Sequence, residues 1–248
     1  MKDVRVADLE CRLCGGTDGN GAGAGPLVIL LHGFGAPGTD LLGLSRMLRA
    51  PEGTRFLFPS APLDLAAEGP FPEGARAWWL LDLVAAQIAA LTGDVQAFTK
   101  SLRPGLDAAK DVLAALLREV IRALEPDPER VVLGGFSQGA ILSLETALSI
   151  DLRLGGLLLF SASLLDADDV RRRAEALSSM RAVVSHGRQD PILPFLLGQE
   201  LAKTLSSAGW QADWVPFDGG HGIPPEALAS AERLLFNRFA PAAVGPSR

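Results

Sequence analysis

One short stretch, residues 130–140 with the sequence RVVLGGFSQGA, constrains the possible folds of this chain most strongly. Its apolar, β-branched start predicts a buried strand, which two glycines then end abruptly. Apolar residues recur at helical spacing from position 141 to position 148. A strand, a sharp turn and a helix in this order predict an α/β architecture with Ser137 at the tip of the turn.

The turn contains Gly-x-Ser-x-Gly and is typical of the nucleophile elbow of an α/β-hydrolase, a mostly parallel sheet with helices on both faces. Gly135 and Gly139 lack a Cβ that would collide across the tight turn, and the serine backbone is expected to be strained. We expect the turn to expose the Ser137 hydroxyl and to aim the Gln138 amide at a developing oxyanion. The motif arises easily by chance among 27 glycines, so the interpretation depends on partners elsewhere.

Length and composition bound the remaining possibilities. A chain of 248 residues that is 48% hydrophobic and 21% charged predicts one globular domain over residues 1–240, with a flexible tail at 241–248. A net charge of −6 without a basic stripe argues against a nucleic-acid partner. The charged N-terminus does not resemble a signal peptide, and no apolar run is long enough to span a bilayer. We therefore expect a soluble, cytoplasmic protein without stable membrane insertion. Whether it forms a homodimer is left open by the sequence.

The two cysteines, Cys11 and Cys14, form a single CxxC motif. A zinc ribbon would require a second pair, and a redox motif would open a helix, whereas glycines follow here. We expect two free thiols without a catalytic role.

The pattern of apolar residues gives a coarse element order. Strands are predicted over residues 4–13 at a sheet edge, 27–31, 55–58, 154–160, 181–185 and 211–217, with a hairpin loop over 15–25. Helices are predicted over residues 40–48 with Asp40 as the cap, 168–178, 195–207 and 225–239. Two further amphipathic helices are predicted from apolar positions 81, 84, 88 and 91 and from 113, 117, 120 and 124.

Residues 59–79 are rich in proline, glycine and aromatic side chains. A loop this long usually has a purpose such as lining a site. Trp78, Trp79 and Phe71 are therefore candidates for the wall of an apolar substrate pocket, and the alternative is that they are core residues. Together with the first amphipathic helix, residues 59–102 form a candidate pocket-lining loop and cap.

The strand at residues 27–31 leads into His-Gly-x-Gly. In an α/β-hydrolase the loop after this strand supplies the second oxyanion N–H, and its glycines let the backbone approach the substrate. We assign that donor to Phe34.

A serine hydroxyl is a weak nucleophile, so Ser137 needs a base and a group that orients the base. The chain has three histidines, and the order Ser, acid, His selects His221. His32, in the oxyanion loop, and His186, at a strand end, are predicted to be structural. The spacing of the three histidines does not fit zinc ligands, so neither a metal nor a cofactor is expected.

Asp190 is the favoured acid because it directly follows a strand and Pro191 fixes the turn after it. The intervals from Ser137 to Asp190 and from there to His221 each leave room for a βαβ step, which places the three groups at one sheet edge. Asp166, after the preceding strand, is the alternative. Asp218 is too close to His221 in sequence and is predicted to be a turn residue.

Six segments, LLHGFG, FPSAP, RAWW, GGFSQGA, HGRQDPILP and GGHGI, resemble the phospholipase/carboxylesterase family of α/β-hydrolases, which includes the acyl-protein thioesterases. The resemblance covers roughly residues 27–239. It implies a Ser137, Asp190, His221 triad and an oxyanion hole at the amides of Phe34 and Gln138. The chain departs from the family where Phe34 replaces a common leucine, Ala36 an acidic residue, and Trp79-Leu80 an aromatic-Asp pair, so the acyl pocket is expected to differ.

The resemblance implies a serine hydrolase that cleaves a small-molecule ester or thioester through an acyl-enzyme, with a carboxylesterase as the first expectation. Acyl-protein thioesterase or lysophospholipase activity is the alternative. A dienelactone hydrolase would be expected to carry cysteine at position 137. A non-catalytic binding module with this fold usually lacks a triad member, and all three are present here.

Overall fold

The computed structural model describes residues 1–239, so the predicted tail at 241–248 lies outside the described residues. Within this part of the chain the strands are β1 (Lys2–Val6), β2 (Leu9–Gly16), β3 (Asn20–Ala22), β4 (Leu27–Leu31), β5 (Arg55–Pro59), β6 (Leu63–Asp64), β7 (Arg76–Ala77), β8 (Val131–Phe136), β9 (Gly156–Phe160), β10 (Arg181–Gly187) and β11 (Gln211–Phe217). The α-helices are α1 (Leu44–Met47), α2 (Leu83–Thr92), α3 (Val95–Ser101), α4 (Leu106–Leu124), α5 (Gln138–Ala147), α6 (Ala167–Glu175), α7 (Phe195–Ser207) and α8 (Pro225–Phe239).

The central sheet has the order β1-β2-β5-β4-β8-β9-β10-β11, with β3 paired to β2. The pairs from β5 to β11 are all parallel, whereas β2 pairs antiparallel with both β1 and β5. The strands β6 and β7 form a separate two-stranded antiparallel pair. This mostly parallel sheet with helices on its faces confirms the predicted architecture.

The uninterrupted apolar sequence of β4 reflects burial on both faces, as is typical of parallel sheets. Its odd-numbered residues, Leu27, Ile29 and Leu31, join the core beneath α4, α5 and α7. Its even-numbered residues, Val28 and Leu30, join the core beneath α1 and α8. The sheet is therefore covered by helices on both sides.

The N-terminal region differs from its prediction. The single edge strand expected over residues 4–13 is a hairpin, β1 and β2, that turns at Ala7 and Asp8 with φ of 45° and 66°. Positive φ values suit the turn of a hairpin, and Asp8 tolerates them, but a single aspartate without glycine, asparagine or proline is a weak turn signal. The loop expected over residues 15–25 also contains β3.

The two cysteines lie in β2 and are both free. Cys11 packs into the core on one face of the sheet and Cys14 into the core on the other, as expected for residues three apart in a strand. Burial raises the pKa of the Cys11 thiol to about 12. The structure thus agrees with the expectation of free thiols.

Two helix predictions require correction. Asp40 does not cap a helix: it is the first residue of a 3₁₀ turn, Asp40–Gly43, which precedes the one-turn helix α1, and Thr39 stands at the cap position without a side-chain bond. The region around residue 81 forms two short helices, α2 and α3, separated by Gly93 in the left-handed conformation. Val84, Ile88 and Leu91 were expected to form the buried face of α2, but all three are exposed to solvent.

The elements bring the candidate residues to one edge of the sheet. Phe34 follows β4, Ser137 follows β8, Asp190 follows β10 and His221 follows β11. These strands are parallel, so their carboxyl ends lie at the same edge, where sites form in open α/β sheets.

His32 fixes the loop after β4. Its Nδ1 lies 2.8 Å from the Gly33 carbonyl oxygen, and its Nε2 accepts a hydrogen bond of 2.9 Å from the Ala61 amide. The Nδ1 therefore carries the proton of a neutral ring. Burial lowers the pKa of His32 to about 4, against the hydrogen bond to Gly33, which acts in the opposite direction.

Close packing explains the two glycines of the turn. A Cβ on Gly135 would lie 2.3 Å from the Leu31 carbonyl oxygen, and one on Gly139 would lie 2.2 Å from the same atom. Backbone atoms cannot yield as a flexible side chain does. The elbow and the start of α5 can approach β4 only because both positions are glycine.

We predict that Gly139→Ala destabilises the protein by about 1–3 kcal/mol, because the added methyl group must separate α5 from β4. Urea unfolding measures the loss. The matched control is Gly43→Ala, where the backbone is helical (φ −57°, ψ −29°) and a Cβ meets nothing within 4 Å. This control should be neutral or more stable by about 0.4–1 kcal/mol. Equal stabilities for the two variants would contradict the packing account.

A second prediction concerns acid stability. The pKa of His32 is about 4 in the folded protein and about 6.5 in an unfolded chain, so the unfolded state binds the proton first. Stability from this group is complete above about pH 6.5 and is lost as the pH falls toward about 4, by about 3 kcal/mol in total. His32→Gln, which keeps an acceptor for the Ala61 amide, should have a flatter stability curve over this interval. Parallel curves from urea unfolding at several pH values would refute the assignment.

Candidate active site

Ser137 occupies the strained turn that its motif predicts. Its φ of 54° and ψ of −118° lie outside the regions that non-glycine residues ordinarily adopt. Its amide donates a 2.9 Å hydrogen bond to the Phe160 carbonyl at the end of β9. This bond and the packing of the two glycines against β4 hold the turn in place.

His221 and Asp190 form a hydrogen-bonded pair. The His221 Nδ1 lies 2.7 Å from Asp190 Oδ2, and both Ser137 and His221 line the same cavity. An ionised carboxylate only accepts hydrogen bonds, so Nδ1 carries the proton and Nε2 is left as a base. The pair therefore has the tautomer that base catalysis requires. The ring of Phe136 packs against the imidazole, with 4.6 Å between the ring centroids.

The Asp190 carboxylate is buried, with its side chain 0% exposed, and hydrogen-bonded on both oxygens. Its Oδ1 accepts from the Ile192 amide at 2.8 Å and the Leu193 amide at 3.0 Å. Burial opposes ionisation, but hydrogen bonds from His186, His221 and the Leu193 amide outweigh it and hold the pKa of Asp190 well below its usual range. The carboxylate is thus charged and held in one orientation at neutral pH.

His186 supports the acid from behind. Its Nε2 lies 2.9 Å from the Leu193 carbonyl oxygen and 3.3 Å from Asp190 Oδ2, so it must carry a proton toward these two acceptors. Its Nδ1 is buried without a partner in the described part of the chain, packed where a Cβ on Gly198 would lie only 2.4 Å away. These contacts join His186 of β10 to the loop that carries Asp190, and its structural role stays a prediction.

Ser161 links β10 to the loop that carries His221. It is buried, follows β9 and has a φ of 50°. Its amide donates to the Ser185 carbonyl at 2.8 Å and its hydroxyl to the Gly222 carbonyl at 3.2 Å. Sequence reasoning did not select this residue, because its contacts join segments that are distant in sequence.

The two amides assigned to an oxyanion hole lie on the cavity wall. Phe34 and Gln138 both line the cavity, and within residues 1–239 neither amide N–H donates to another acceptor. Gln138 also holds the neighbouring loop: its side-chain oxygen accepts from the Trp78 amide at 3.0 Å, and its side-chain nitrogen donates to the Trp79 carbonyl at 2.8 Å. The start of α5 is thereby fixed to the loop after β7.

The cavity has a volume of about 380 Å³ and is mostly apolar. Its wall comprises Gly33, Phe34, Ala36, Asp40, Trp79, Leu81, Leu83, Ala86, Phe98, Leu102, Phe136, Ser137, Gln138, Ile141, Ile192, Leu193 and His221. Among the described residues of this wall, Asp40 is the one acidic group. Desolvation by its surroundings raises the pKa of Asp40 to about 6.

The structure separates the three aromatic residues proposed for the pocket. Trp79 lines the cavity, with its indole N–H donating to the Leu102 carbonyl at 2.9 Å. Trp78 is buried behind the wall, where its indole N–H donates to the His32 carbonyl at 3.0 Å. Phe71 packs edge-on against Phe34 with 5.8 Å between centroids and does not reach the cavity.

The wall residues that sequence reasoning missed come mainly from α3 and the loop after Asp190. Phe98 of α3 and Leu102, directly after α3, close the cavity, as do Ile192 and Leu193. A second amphipathic segment after Gly93 was the available signal for α3, whereas nothing in the sequence distinguishes wall residues from ordinary core residues.

The alternative acids lie elsewhere. Asp166 is the N-cap of α6, where it accepts from the Asp169 amide, and it pairs with Arg103 at 3.5 Å. Asp218 is exposed and lies 3.4 Å from Arg188.

A second cavity, of about 410 Å³, is similar in size to the cavity at Ser137. It is lined by the first residues of β10 and β11, at the sheet edge opposite Ser137.

Comparison with known proteins identifies the relationship. The family model described as Phospholipase/Carboxylesterase matches residues 20–236. An acyl-protein thioesterase 1 of Eremothecium gossypii is 30% identical over 82% of this chain and 83% of its own length. An acyl-protein thioesterase 1 of Gibberella zeae is 36% identical, but over only 46% of this chain and half of its own length.

The fold agrees with these relationships. The crystal structure of esterase PE8 superimposes with a TM-score of 0.76 and 26% sequence identity, covering 94% of this chain and 99% of that chain. In residues 1–239 no helix has both the length and the apolar character needed to cross a membrane. With the predicted fold class and family both confirmed, this chain belongs to the phospholipase/carboxylesterase family and is an ester hydrolase with the α/β-hydrolase fold.

Proposed function

We propose that the protein is a carboxylesterase that acts through Ser137, His221 and Asp190. The observation that carries the proposal is the 2.7 Å hydrogen bond between His221 and a buried Asp190, at the wall of the apolar cavity that also contains Ser137. This arrangement supplies a nucleophile, a base and a group that orients the base.

In the first half of the reaction, His221 Nε2 removes the Ser137 proton as the hydroxyl oxygen attacks the acyl carbon. The carbonyl oxygen becomes an oxyanion, which the amides of Phe34 and Gln138 stabilise by about 3 kcal/mol per donor. His221 then donates its proton to the leaving alcohol, and the acyl-enzyme remains.

In the second half, His221 removes a proton from water and the resulting hydroxide attacks the acyl-enzyme. Collapse of the second tetrahedral intermediate releases the carboxylic acid, and the proton returns to Ser137. Asp190 remains ionised throughout, because its hydrogen bonds hold its pKa far below neutral pH. Its task is to keep the proton of His221 on Nδ1.

Acyl-protein thioesterase activity is the second candidate. Two observations favour it: relatives named acyl-protein thioesterase 1 match this chain, and the cavity wall is mostly apolar, as a fatty acyl chain would require. The same steps apply, with His221 donating its proton to a leaving thiol rather than to an alcohol.

The triad assignment predicts that Ser137→Ala abolishes turnover of p-nitrophenyl esters while circular dichroism and the unfolding midpoint stay unchanged. The matched control is Ser149→Ala in the loop after α5, whose hydroxyl only donates to the Glu145 carbonyl. This control should keep the wild-type rate. Retained turnover in Ser137→Ala would overturn the nucleophile assignment.

The choice of acid predicts that Asp190→Asn lowers kcat by about 10³- to 10⁴-fold, because the amide no longer fixes the tautomer of His221. Asp166→Asn is the matched control, since asparagine also caps a helix well. It should leave kcat close to wild type. The reverse result would transfer the role of the acid to Asp166.

The cavity wall predicts substrate preference. Phe98→Ala removes a ring from the far wall, so kcat/KM should rise for long-chain relative to short-chain p-nitrophenyl esters. Val95→Ala, on the same helix but exposed and outside the wall, is the control and should keep the wild-type profile. An unchanged profile for Phe98→Ala would show that the acyl chain lies elsewhere.

A further inference from the structure

Helices α2 and α3, with Leu80 just before α2, expose a set of large apolar side chains to solvent. We call this set the cap surface, and its members are Leu80 (46% exposed), Leu83 (46%), Val84 (68%), Ile88 (58%), Leu91 (81%) and Val95 (40%). Single exposed apolar residues are ordinary, but a contiguous patch on one element usually marks an interaction site.

The cap surface carries almost no charge. Between positions 77 and 99 the sequence contains two charged residues, Asp82 and Asp94. Both are N-caps: Asp82 accepts from the Ala85 amide and Asp94 from the Ala97 amide, each at 2.9 Å. These carboxylates cap the N-termini of the two helices, so they add no charge to the apolar faces that follow them.

The cap surface is continuous with the candidate active site. Leu83 is both exposed and part of the cavity wall, and its neighbours Leu81 and Ala86 line the same wall. Ile192, which lines the cavity from the loop after Asp190, is also 57% exposed. One apolar path therefore runs from solvent, over α2, to the cavity that holds Ser137.

We propose that the cap surface docks the protein on a zwitterionic lipid bilayer, so that acyl chains pass from the bilayer into the cavity. Docking itself needs only the cap surface, whereas the passage of an acyl chain rests on the function proposed above. The binding is peripheral: the apolar faces of short helices enter the boundary between headgroups and acyl chains.

Charge favours a zwitterionic surface over an anionic one. Lys100, in the last turn of α3, is the one lysine or arginine in the two helices, and the chain has a net charge of −6. Attraction to anionic lipids requires clustered basic residues beside the inserted face, and the two helices carry no such cluster. The affinity must come from apolar burial and should depend little on salt.

The size of the cap surface argues against a second copy of the chain as its occupant. A stable protein–protein interface buries about 800 Å² on each partner, contributed by roughly 20–30 residues. The cap surface offers six large apolar side chains from two short helices. This is too few for such an interface but suits helices that lie flat in a lipid surface.

The test is co-sedimentation with vesicles of a diether phosphatidylcholine, which the protein cannot hydrolyse at an ester. The proteins are wild type, Ser137→Ala, the triple variant Val84→Gln/Ile88→Gln/Leu91→Gln, and the control Met47→Gln/Phe236→Gln, which removes exposed apolar side chains from other elements. None of the substituted cap residues lines the cavity. Turnover of soluble p-nitrophenyl acetate by the triple variant checks its fold.

We expect wild type, Ser137→Ala and the control to bind equally, with little effect of salt. The triple variant should lose about tenfold or more in partition coefficient while its turnover of the soluble ester stays within about twofold of wild type. Vesicle binding without turnover in wild type would refute the proposed function and leave the docking intact.

Four results would overturn the docking proposal. In the first, wild type does not sediment with the vesicles. In the second, the triple variant binds as well as wild type does. In the third, binding requires anionic lipid and disappears in salt. The fourth is a wild-type dimer, in sedimentation velocity without lipid, that the triple variant converts to a monomer, since this would assign the cap surface to a second copy of the chain.

Discussion

The approach of the elbow to the neighbouring strand is the constraint on which the rest of the site depends. The Leu31 carbonyl oxygen occupies the space that a Cβ on either Gly135 or Gly139 would need. This contact sets the depth at which Ser137 sits above the sheet and the direction in which α5 leaves it. The strained backbone of Ser137 persists because packing on both sides leaves the chain no relaxed alternative.

The three histidines show how environment divides one residue type into different roles. His32 and His186 are fully buried, and their protonated nitrogens point to backbone carbonyl oxygens that hold loops together. His221 is partly exposed and lines the cavity, and its protonated nitrogen points to a carboxylate. Hydrogen-bond partners rather than sequence context distinguish the proposed base from the other two histidines.

The sequence was most informative where function depends on local geometry. The elbow, the loop after β4 and the turns holding Asp190 and His221 carry glycine, proline and polar residues in fixed order, so the family and the fold were predictable. It was least informative where tertiary contacts decide. The adjacent residues Trp78 and Trp79 look alike in sequence, yet one lies behind the cavity wall and the other in it. The apolar spacing of α2 likewise indicated a buried face, and only the arrangement of α2 and α3 over the cavity shows that this face is exposed.

Gln138 joins two parts of the site that are usually considered separately. Gln138 lines the cavity beside Ser137, while its side chain binds the main chain on both sides of the Trp78–Trp79 peptide. Two hydrogen bonds therefore join the wall residue Trp79 and its neighbour Trp78 to Gln138, the proposed donor for the oxyanion. A substrate that fits the wall poorly and shifts Trp79 also shifts the first residue of α5, so shape recognition is mechanically coupled to the stabilisation of charge.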